Sequence, residues 1–513
     1  MIIESKFFST KELNFPGGKL ESVVLGGRDK FQLAKQAFEA AGIKRVGVIG
    51  WGSQGPAQAM NLRESFEGSD IIVEVGLREG SSSFEKARVA GFSEENGTLG
   101  EMFDVIRRSD LVILLISDAA QVELYPRIFE AMRTGGILGL SHGFLLGHLR
   151  SKGERFPERF SVIGVCPKGM GPSVRRLYEQ GREINGAGIN CSWASHYDRD
   201  GKASDVALAW AIAIGAPFVF YTTLEKEYLS DLTGERGVLL GGVRGLVEAL
   251  HPHYTHMGMS EESAYLCTVE SLTGPISQHI AKRGGLLGLY ETLAPMKQEE
   301  FMDAYVAAYL ASRPLLEEIY SDVESGDEIR SVVRAGNRSN EYPPKRIDRT
   351  DMWRAGESVR ESRSESSPPS VYGLTAGMYV GMMVAQIDVL VKREHSWSEV
   401  CNESIIEAVD SLNPFMHFKG ISHMVNNCST TAQLGARKYA PRFEYAIRQQ
   451  ALPDLEERYE DSGCNGPSCI PSQSQDFFFR RKELTEAFLN HPVHKALKLC
   501  STMRPPVDIS VVV

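Results

Sequence analysis

Between residues 44 and 166 short apolar, β-branched runs recur at 45–50, 70–77, 111–116, 136–141 and 161–166, separated by stretches with helical spacing. Runs of this length bounded by Gly, Ser and charged residues predict strands, and strands alternating with helices predict a parallel sheet covered on both faces. Beyond about Thr223 the pattern changes to long segments rich in Leu, Ala, Met and Glu with almost no alternation, so the second half is expected to be helical. The apolar stretch 206–221 is broken by Gly215 and Pro217 and falls short of the roughly 20 residues needed to span a bilayer, so it reads as core.

The helical half carries a faint repeat. Gly241, the Val-Glu-Ala-Leu at 247–250 and the Val-Glu-Ser-Leu at 269–272 recur as Gly381, Ile-Asp-Val-Leu at 387–390 and Val-Asp-Ser-Leu at 409–412, all 140 residues on. A constant offset points to duplication. Between the copies, 346–370 is rich in Arg, Glu, Ser and Pro and reads as a surface connector, and 452–474 as an irregular insert.

Composition narrows the class. The 513 residues suffice for several domains, and 42% apolar with 24% charged residues is the balance of a globular protein. With 56 Lys and Arg against 66 Asp and Glu the net charge is −10, which argues against a nucleic-acid partner. Eight cysteines are too few for a disulfide scaffold and are expected to be reduced thiols. Glu4 and Lys6 interrupt any apolar signal region, so neither secretion nor a membrane is expected.

The first apolar run leads into Gly50-Trp-Gly52-Ser53-Gln54-Gly55 and then a helical segment. Gly50 permits the tight turn, Gly52 lets a pyrophosphate approach the backbone, Gly55 permits close helix packing, and the helix N-terminus faces the phosphate charge, with Ser53 and Gln54 in the same turn. This is a dinucleotide site. The second run ends without an acid until Glu79, whereas Arg78, Ser81 and Ser83 suit a 2′-phosphate, so NADP is preferred to NAD. His142 and Lys168 follow two later strands, where ligands of open α/β sheets collect, although loop His and Lys residues are often merely structural.

Glu227, Asp231 and Glu235 lie one helical turn apart, as do Glu403 and Glu407. Such spacing also occurs on solvated acidic faces, but carboxylates converging from separate helices suit divalent cations such as Mg²⁺. At the 140-residue offset Asp231 and Glu235 match Val371 and Thr375, and Glu403 and Glu407 match Ser263 and Cys267, so each copy holds the acids the other lacks and a site across the repeats is expected. The trio His251, His253 and His256 is set aside as a metal site because Pro252 is expected to break the helix.

Six segments, namely the turn ending at Gly55, Ser-His142-Gly-Phe, Cys-Pro-Lys168-Gly-Met-Gly-Pro, Gly234-Glu-Arg-Gly, Asn402-Glu-Ser and Asn427-Cys-Ser429-Thr-Thr, together closely resemble the ketol-acid reductoisomerase family in its long, plant-like form. The resemblance runs from about Ala41 to Gln450 and returns at 506–510. It implies a Rossmann-type sheet domain at 1–223, then a duplicated, knotted helical domain with repeat 1 and connector at 224–370 and repeat 2 and tail at 371–513. It also implies conversion of 2-acetolactate and 2-aceto-2-hydroxybutyrate to 2,3-dihydroxy-3-methyl acids, with NADPH and two Mg²⁺, for valine, isoleucine and leucine synthesis. By the same resemblance Asp231 bridges both ions, Glu235 binds the first, Glu403 and Glu407 bind the second, Lys168 and Glu227 stand beside the metals, His142 flanks the nicotinamide and Ser429 binds substrate. Glu79 departs from the pattern, standing where plant members carry Lys. A homo-oligomer is expected, in bacterial cytoplasm, or in plastid stroma if a transit peptide precedes Met1. The rivals are a metal-independent NADP-linked hydroxyacid dehydrogenase and a catalytically dead NADPH sensor.

Overall fold

Each of the five apolar runs forms a strand in the computed structural model of the chain, which describes residues 5–282, 284–339, 341–363, 370–461 and 472–507. The strands are β1 (Thr10–Phe15), β2 (Lys19–Leu25), β3 (Arg45–Ile49), β4 (Ile72–Leu77), β5 (Leu99–Glu101), β6 (Leu111–Leu114), β7 (Ile137–Leu140), β8 (Ser161–Pro167), β9 (Cys191–Tyr197) and β10 (Phe218–Tyr221). They make one sheet in the order β1-β2-β10-β9-β8-β7-β6-β3-β4-β5. From β5 to β8 all neighbours are parallel, with Val46 opposite Val73 on one side and Leu111 on the other. The order reverses at β3, between β4 and β6, and there a crevice opens beyond the strand ends.

The sheet is not wholly parallel, which corrects the expectation. β9 runs antiparallel to β8, and the β1–β2 hairpin joins antiparallel to β10. Their sequences explain why these strands were not foreseen. β1 is Thr-Lys-Glu-Leu-Asn-Phe with only two buried positions, and β9 is built largely of small and polar residues. The stretch 206–221 is core as expected, but it divides into the buried helix Ala203–Ala213 and β10, with Gly215 at φ +102° between them.

After β10 the chain is helical. The helices that matter here are α1 (Gln54–Ser65) in the sheet domain, then α2 (Leu224–Arg236), α3 (Gly241–His256), α4 (Pro295–Glu324), α5 (Gly373–Lys392), α6 (Trp397–Cys401), α7 (Thr430–Ala446) and α8 (Pro492–Ser501). The Thr223 hydroxyl caps α2 by accepting from the Lys226 amide at 3.1 Å. Helix α3 runs through Pro252, so the break expected there does not occur, and His251 Nε2 meets the Glu261 carbonyl at 3.1 Å. Among the described residues α5 is the one helix long and apolar enough to cross a membrane, yet 83% of its apolar window is buried, as in a core helix.

The duplication is visible, but its offset is 136 residues, not 140. Wide π-turn runs at Leu266–Glu270 and Leu272–Ile276 recur at Asn402–Ile406 and Ala408–Leu412. Positive φ at Gly258 and Gly284 recurs at Glu394 and Gly420. Gly245 faces the Ala440 carbonyl as Gly381 faces that of Tyr305. The slip is four residues, about one α-helical turn, so a pattern of common helical residues matches itself on the same face. Glu403 and Glu407 therefore correspond to Cys267 and Ser271, and Glu235 to Val371. The counterpart of Asp231 falls at 367, outside the described residues. The copies are interleaved: α3 of the first packs on α7 of the second, and α5 of the second on α4 of the first.

The connector is partly ordered as the helix Asp351–Glu361, which buries Met352, Trp353, Ala355 and Val359. Its Ser-Pro segment at 364–369, the centre of the insert with Cys464 and Cys469, and 508–510 lie outside the described residues. The other six cysteines are free thiols.

Candidate active site

The end of β3 dictates the first part of the site. Gly50 sits at φ +111°, and a Cβ there would lie 2.7 Å from the Leu115 carbonyl oxygen; a Cβ at Gly55 would lie 2.3 Å from the Gly50 oxygen. Only glycine permits this turn and the close seating of α1 behind it. Gly52, by contrast, faces open space on the cavity side, where a Cβ would meet nothing closer than 4.0 Å. Gln54 Nε2 donates to the Gly169 carbonyl at 2.9 Å, so the glycine turn is tied to the loop that follows Lys168. Arg78, Ser81 and Ser83 lie beyond the end of β4, the neighbour of β3. Arg78 is exposed, and among the described residues no carboxylate pairs with it. Ser81 Oγ accepts from the Ser83 amide at 3.2 Å. These three stand apart from the main cavity's lining.

That cavity, of about 310 Å³, runs from Gly52, Ser53 and Gln54 past Ser141 and His142 to Asp231, Glu235, Glu407 and Ser429. On α2 the predicted helix spacing is realised, with Glu227, Asp231 and Glu235 one turn apart; in the other repeat the π-turn run after α6 carries Glu403, and Glu407 lies between that run and the next. Lys168 Nζ lies 2.5 Å from Glu403 Oε1 and 3.3 Å from Glu227 Oε1, with all three side chains buried. His142 Nδ1 is 3.3 Å from Glu227 Oε2 and 3.2 Å from Asp231 Oδ2, close enough for ionic pairing but not aligned for hydrogen bonds. The Gly143 amide donates to Glu227 Oε2 at 2.6 Å. Ser429 caps α7, its Oγ accepting from the Ala432 amide at 3.0 Å.

The electrostatics follow from crowding these groups in a low dielectric. Burial works against charge on Lys168 and His142, but the surrounding carboxylates outweigh it, led by Glu403 for Lys168 and by Asp231 for His142, and hold both well above their ordinary values. Burial would raise Glu227, yet Lys168 and His142 hold it down to about 2. The remaining acids go the other way. Burial and then Asp231 push Glu235 up to about 8. Burial pushes Glu403 up to about 8 against the pull of Lys168. Burial and the neighbouring Glu403 raise Glu407 further, and burial raises Asp231. Five carboxylates thus face three cationic side chains, Lys168, His142 and Arg236, the last donating from Nη1 to Glu235 Oε2 at 3.0 Å, and both Glu403 oxygens are buried with no aligned hydrogen-bond donor. Acids that burial and crowding keep from ionising together form an all-oxygen donor set, which fits hard divalent cations. Among the described residues the one triple of His, Cys, Asp or Glu with ligand atoms within 4.8 Å of one another is His142, Glu227 and Asp231. In it Glu227 and Asp231 offer carboxylate oxygens on either side of His142 Nδ1.

Sequence reasoning passed over Glu399, one turn before Glu403 and buried at 1% exposure. The series Glu399, Glu403, Glu407 was there to be read as three acids at i, i+4 and i+8.

Comparison with known proteins follows the same division. Residues 42–218 match the family profile described as acetohydroxy acid isomeroreductase, NADPH-binding domain, and 224–365 match ketol-acid reductoisomerase, C-terminal domain. The chain is 54% identical to the chloroplastic ketol-acid reductoisomerase of Spinacia oleracea, across 99% of this chain and 83% of that one. It is equally identical to that of Pisum sativum, across 99% and 85%. A ketol-acid reductoisomerase (NAD(+)) of Desulfosudis oleivorans is 35% identical across 69% and 98%. Among solved structures, an NADH-preferring ketol-acid reductoisomerase from an uncultured archean superposes with a TM-score of 0.54 at 25% identity, covering 63% of this chain and 95% of that one.

Proposed function

Because the chain belongs to the ketol-acid reductoisomerase family, and is thus an NADP-dependent isomeroreductase of branched-chain amino acid biosynthesis, we propose that its two repeats jointly hold two Mg²⁺ ions in the cavity beside the glycine turn. The observation that carries this reading is that Asp231 and Glu235 from one repeat and Glu407 from the other line one cavity, with Glu403 paired to Lys168 behind it, and that burial and crowding push all four acids up. Asp231 would be shared between the two ions, Glu235 would hold the first, and Glu403 and Glu407 the second. Held there, the cations would supply polarisation of the C2 oxygen and C3 carbonyl of 2-acetolactate or 2-aceto-2-hydroxybutyrate for the C2-to-C3 alkyl shift, and NADPH the hydride for the reduction.

The chain's own residues do the rest. Glu227 stays ionised and uses its two oxygens to hold Lys168 on one side and His142 on the other. Lys168 keeps its proton at Nζ and balances Glu227 and Glu403, which keeps the second ligand set from repelling α2. His142, beside Ser141 on the cavity wall, positions the nicotinamide. Leu239, Leu240 and Leu412 line the same cavity and keep water from the migrating methyl or ethyl group. Ser429, held at the α7 cap, offers its hydroxyl to the substrate. Arg78, Ser81 and Ser83 take the 2′-phosphate, and Gly50 to Gly55 the pyrophosphate.

The break between β10 and α2 supports a division into 1–223, 224–370 and 371–513. Of the two compartments considered, the plastid stroma is supported by relatives described as chloroplastic. A homo-oligomer remains our expectation. The test is oxidation of NADPH by the purified chain with 2-acetolactate and Mg²⁺. Turnover abolished by chelation and restored by Mg²⁺ is expected. Turnover indifferent to chelation indicates the metal-independent dehydrogenase, and NADPH binding without turnover the sensor.

A further inference from the structure

Glu399 lies outside the set of residues described above as ligands, yet nothing in its surroundings is accidental for a buried charge. Its Oε1 accepts from Ser230 Oγ at 2.9 Å and from Thr222 Oγ1 at 3.0 Å, and its Oε2 faces His395 Nδ1 at 3.0 Å. His395 Nε2 in turn meets the Tyr320 hydroxyl at 2.9 Å. Thr222, Ser230, His395 and Tyr320 are all at most 5% exposed. Each contact comes from a different element: Thr222 follows β10 of the sheet domain, Ser230 sits in α2 immediately before Asp231, and Tyr320 belongs to α4. Glu399 itself is in α6, one turn before Glu403. A second tie runs in parallel on the surface, where Lys226 Nζ of α2 donates to the Arg393 carbonyl at 3.2 Å.

We propose that Glu399 is a positioning residue for the metal site: its carboxylate ties Ser230 in the first repeat to the turn carrying Glu403 in the second, and so sets how closely the two ligand sets approach. The inference rests on the reading that Asp231 and Glu403 hold divalent cations. Two carboxylate groups facing each other across a cavity repel, and without a fixed tie α2 and the α6 turn would relax apart. Lys168 bridges part of that repulsion electrostatically, but its flexible chain imposes little geometry. A carboxylate accepting two hydroxyl hydrogens and oriented by a histidine is rigid, and it pulls on backbone neighbours of both ligand sets. In the other half of the molecule the corresponding position is Ser263, which is exposed and bonded to Ser260, and among the described residues it makes no equivalent tie.

The test measures binding of Mn²⁺ by the apoprotein through the electron-spin signal of free Mn²⁺, with NADPH affinity by fluorescence as the control. Glu399→Ala should weaken Mn²⁺ about tenfold or more, the loss expected for hydrogen bonds to a charged group, while NADPH affinity stays within about twofold. Glu399→Gln, which keeps the acceptor for Ser230 and Thr222, should restore most of the Mn²⁺ affinity. Ser230→Ala should weaken Mn²⁺ by itself, and adding it to Glu399→Ala should do little more, because both remove one tie. Unchanged Mn²⁺ affinity in Ser230→Ala and Glu399→Ala overturns the proposal, and Ser230→Ala alone decides it if Glu399→Ala does not fold. Wild-type protein that binds no Mn²⁺, or Glu403→Gln that binds it normally, overturns instead the metal reading on which the proposal rests.

Discussion

In the proposed cofactor site the Arg78 guanidinium would tell apart two cofactors that differ by one phosphate. It is exposed at the end of β4, with no carboxylate paired to it among the described residues. Arg78→Ala should therefore weaken NADPH by roughly 1.5–3 kcal/mol, the worth of a charge-assisted bond, and leave NADH nearly unchanged. Steady-state kinetics with both cofactors decide this, and equal losses would remove the assignment. Residues of this kind were legible in the sequence because their chemistry is local: Gly50, Gly52 and Gly55 follow a strand, His142 and Lys168 follow strand ends, and Asp231 and Glu235 repeat at one helical turn. Glu399 was not singled out, because its partners Thr222 and Ser230 are 177 and 169 residues away. Long-range pairing of that kind leaves no periodic trace along the chain.

The five apolar runs read as strands are strands, whereas β1, β2, β5 and β9 were missed and the apolar β10 was read only as core. The buried parallel strands are continuous runs of Val, Ile and Leu, whereas β1 and β2 make an edge hairpin whose task is contact with the distant helical half. There Glu21 of β2 accepts from the Trp397 and Ser398 amides and so caps α6, which the seven-residue strand itself gives no reason to expect. The repeat was recognised but read one turn out of register, because helical faces recur with the turn itself. The helix Asn413–Lys419 supplies a pH test of how the connector is held. Arg363, just past the connector helix, pairs with Glu270 and donates to the His417 carbonyl. His417 Nδ1 lies 3.2 Å from Thr273 Oγ1 and 3.7 Å from Glu270 Oε2. Burial first, and then Arg363 and Arg360, push its pKa down from 6.5 to about 3. The unfolded chain takes up this proton below about pH 6.5 and the folded chain only near pH 3, so the stabilisation is whole above pH 6.5 and is lost as pH falls towards 3. His417→Gln should accordingly lose less Tm between pH 7.5 and pH 5 than wild type does; parallel slopes in the two proteins would contradict the assignment.

At the scale of the whole molecule, interleaved repeats create two related interfaces, and the proposed cation site belongs to one of them. Cys267 and Ser271 stand where Glu403 and Glu407 stand in the other half. Ser271 Oγ is fully used, donating to the Ser370 carbonyl at 2.9 Å and accepting from the Tyr372 amide at 3.2 Å. Among the described residues these contacts occupy that position, whereas its counterpart lines a cavity against the sheet domain. The proposed site is assembled there from the glycine turn, α2 and the turn after α6. The central claim is that this site polarises two substrate oxygens at once, and Asp231 is the carboxylate assigned to both ions. Asp231→Asn keeps the shape and removes the charge. The most direct measurement compares this variant with wild type in two reactions across a Mg²⁺ titration: conversion of 2-acetolactate, and simple reduction of the ready-made 2-keto-3-hydroxy acid. Partners that merely orient a metal ligand are worth about 10–100-fold, so acetolactate turnover should fall at least about 100-fold, with NADPH affinity near normal and the reduction less impaired. Near-wild-type acetolactate turnover at modest Mg²⁺, or equal loss of both reactions, would contradict the bridging role of Asp231 and the joint site between the repeats.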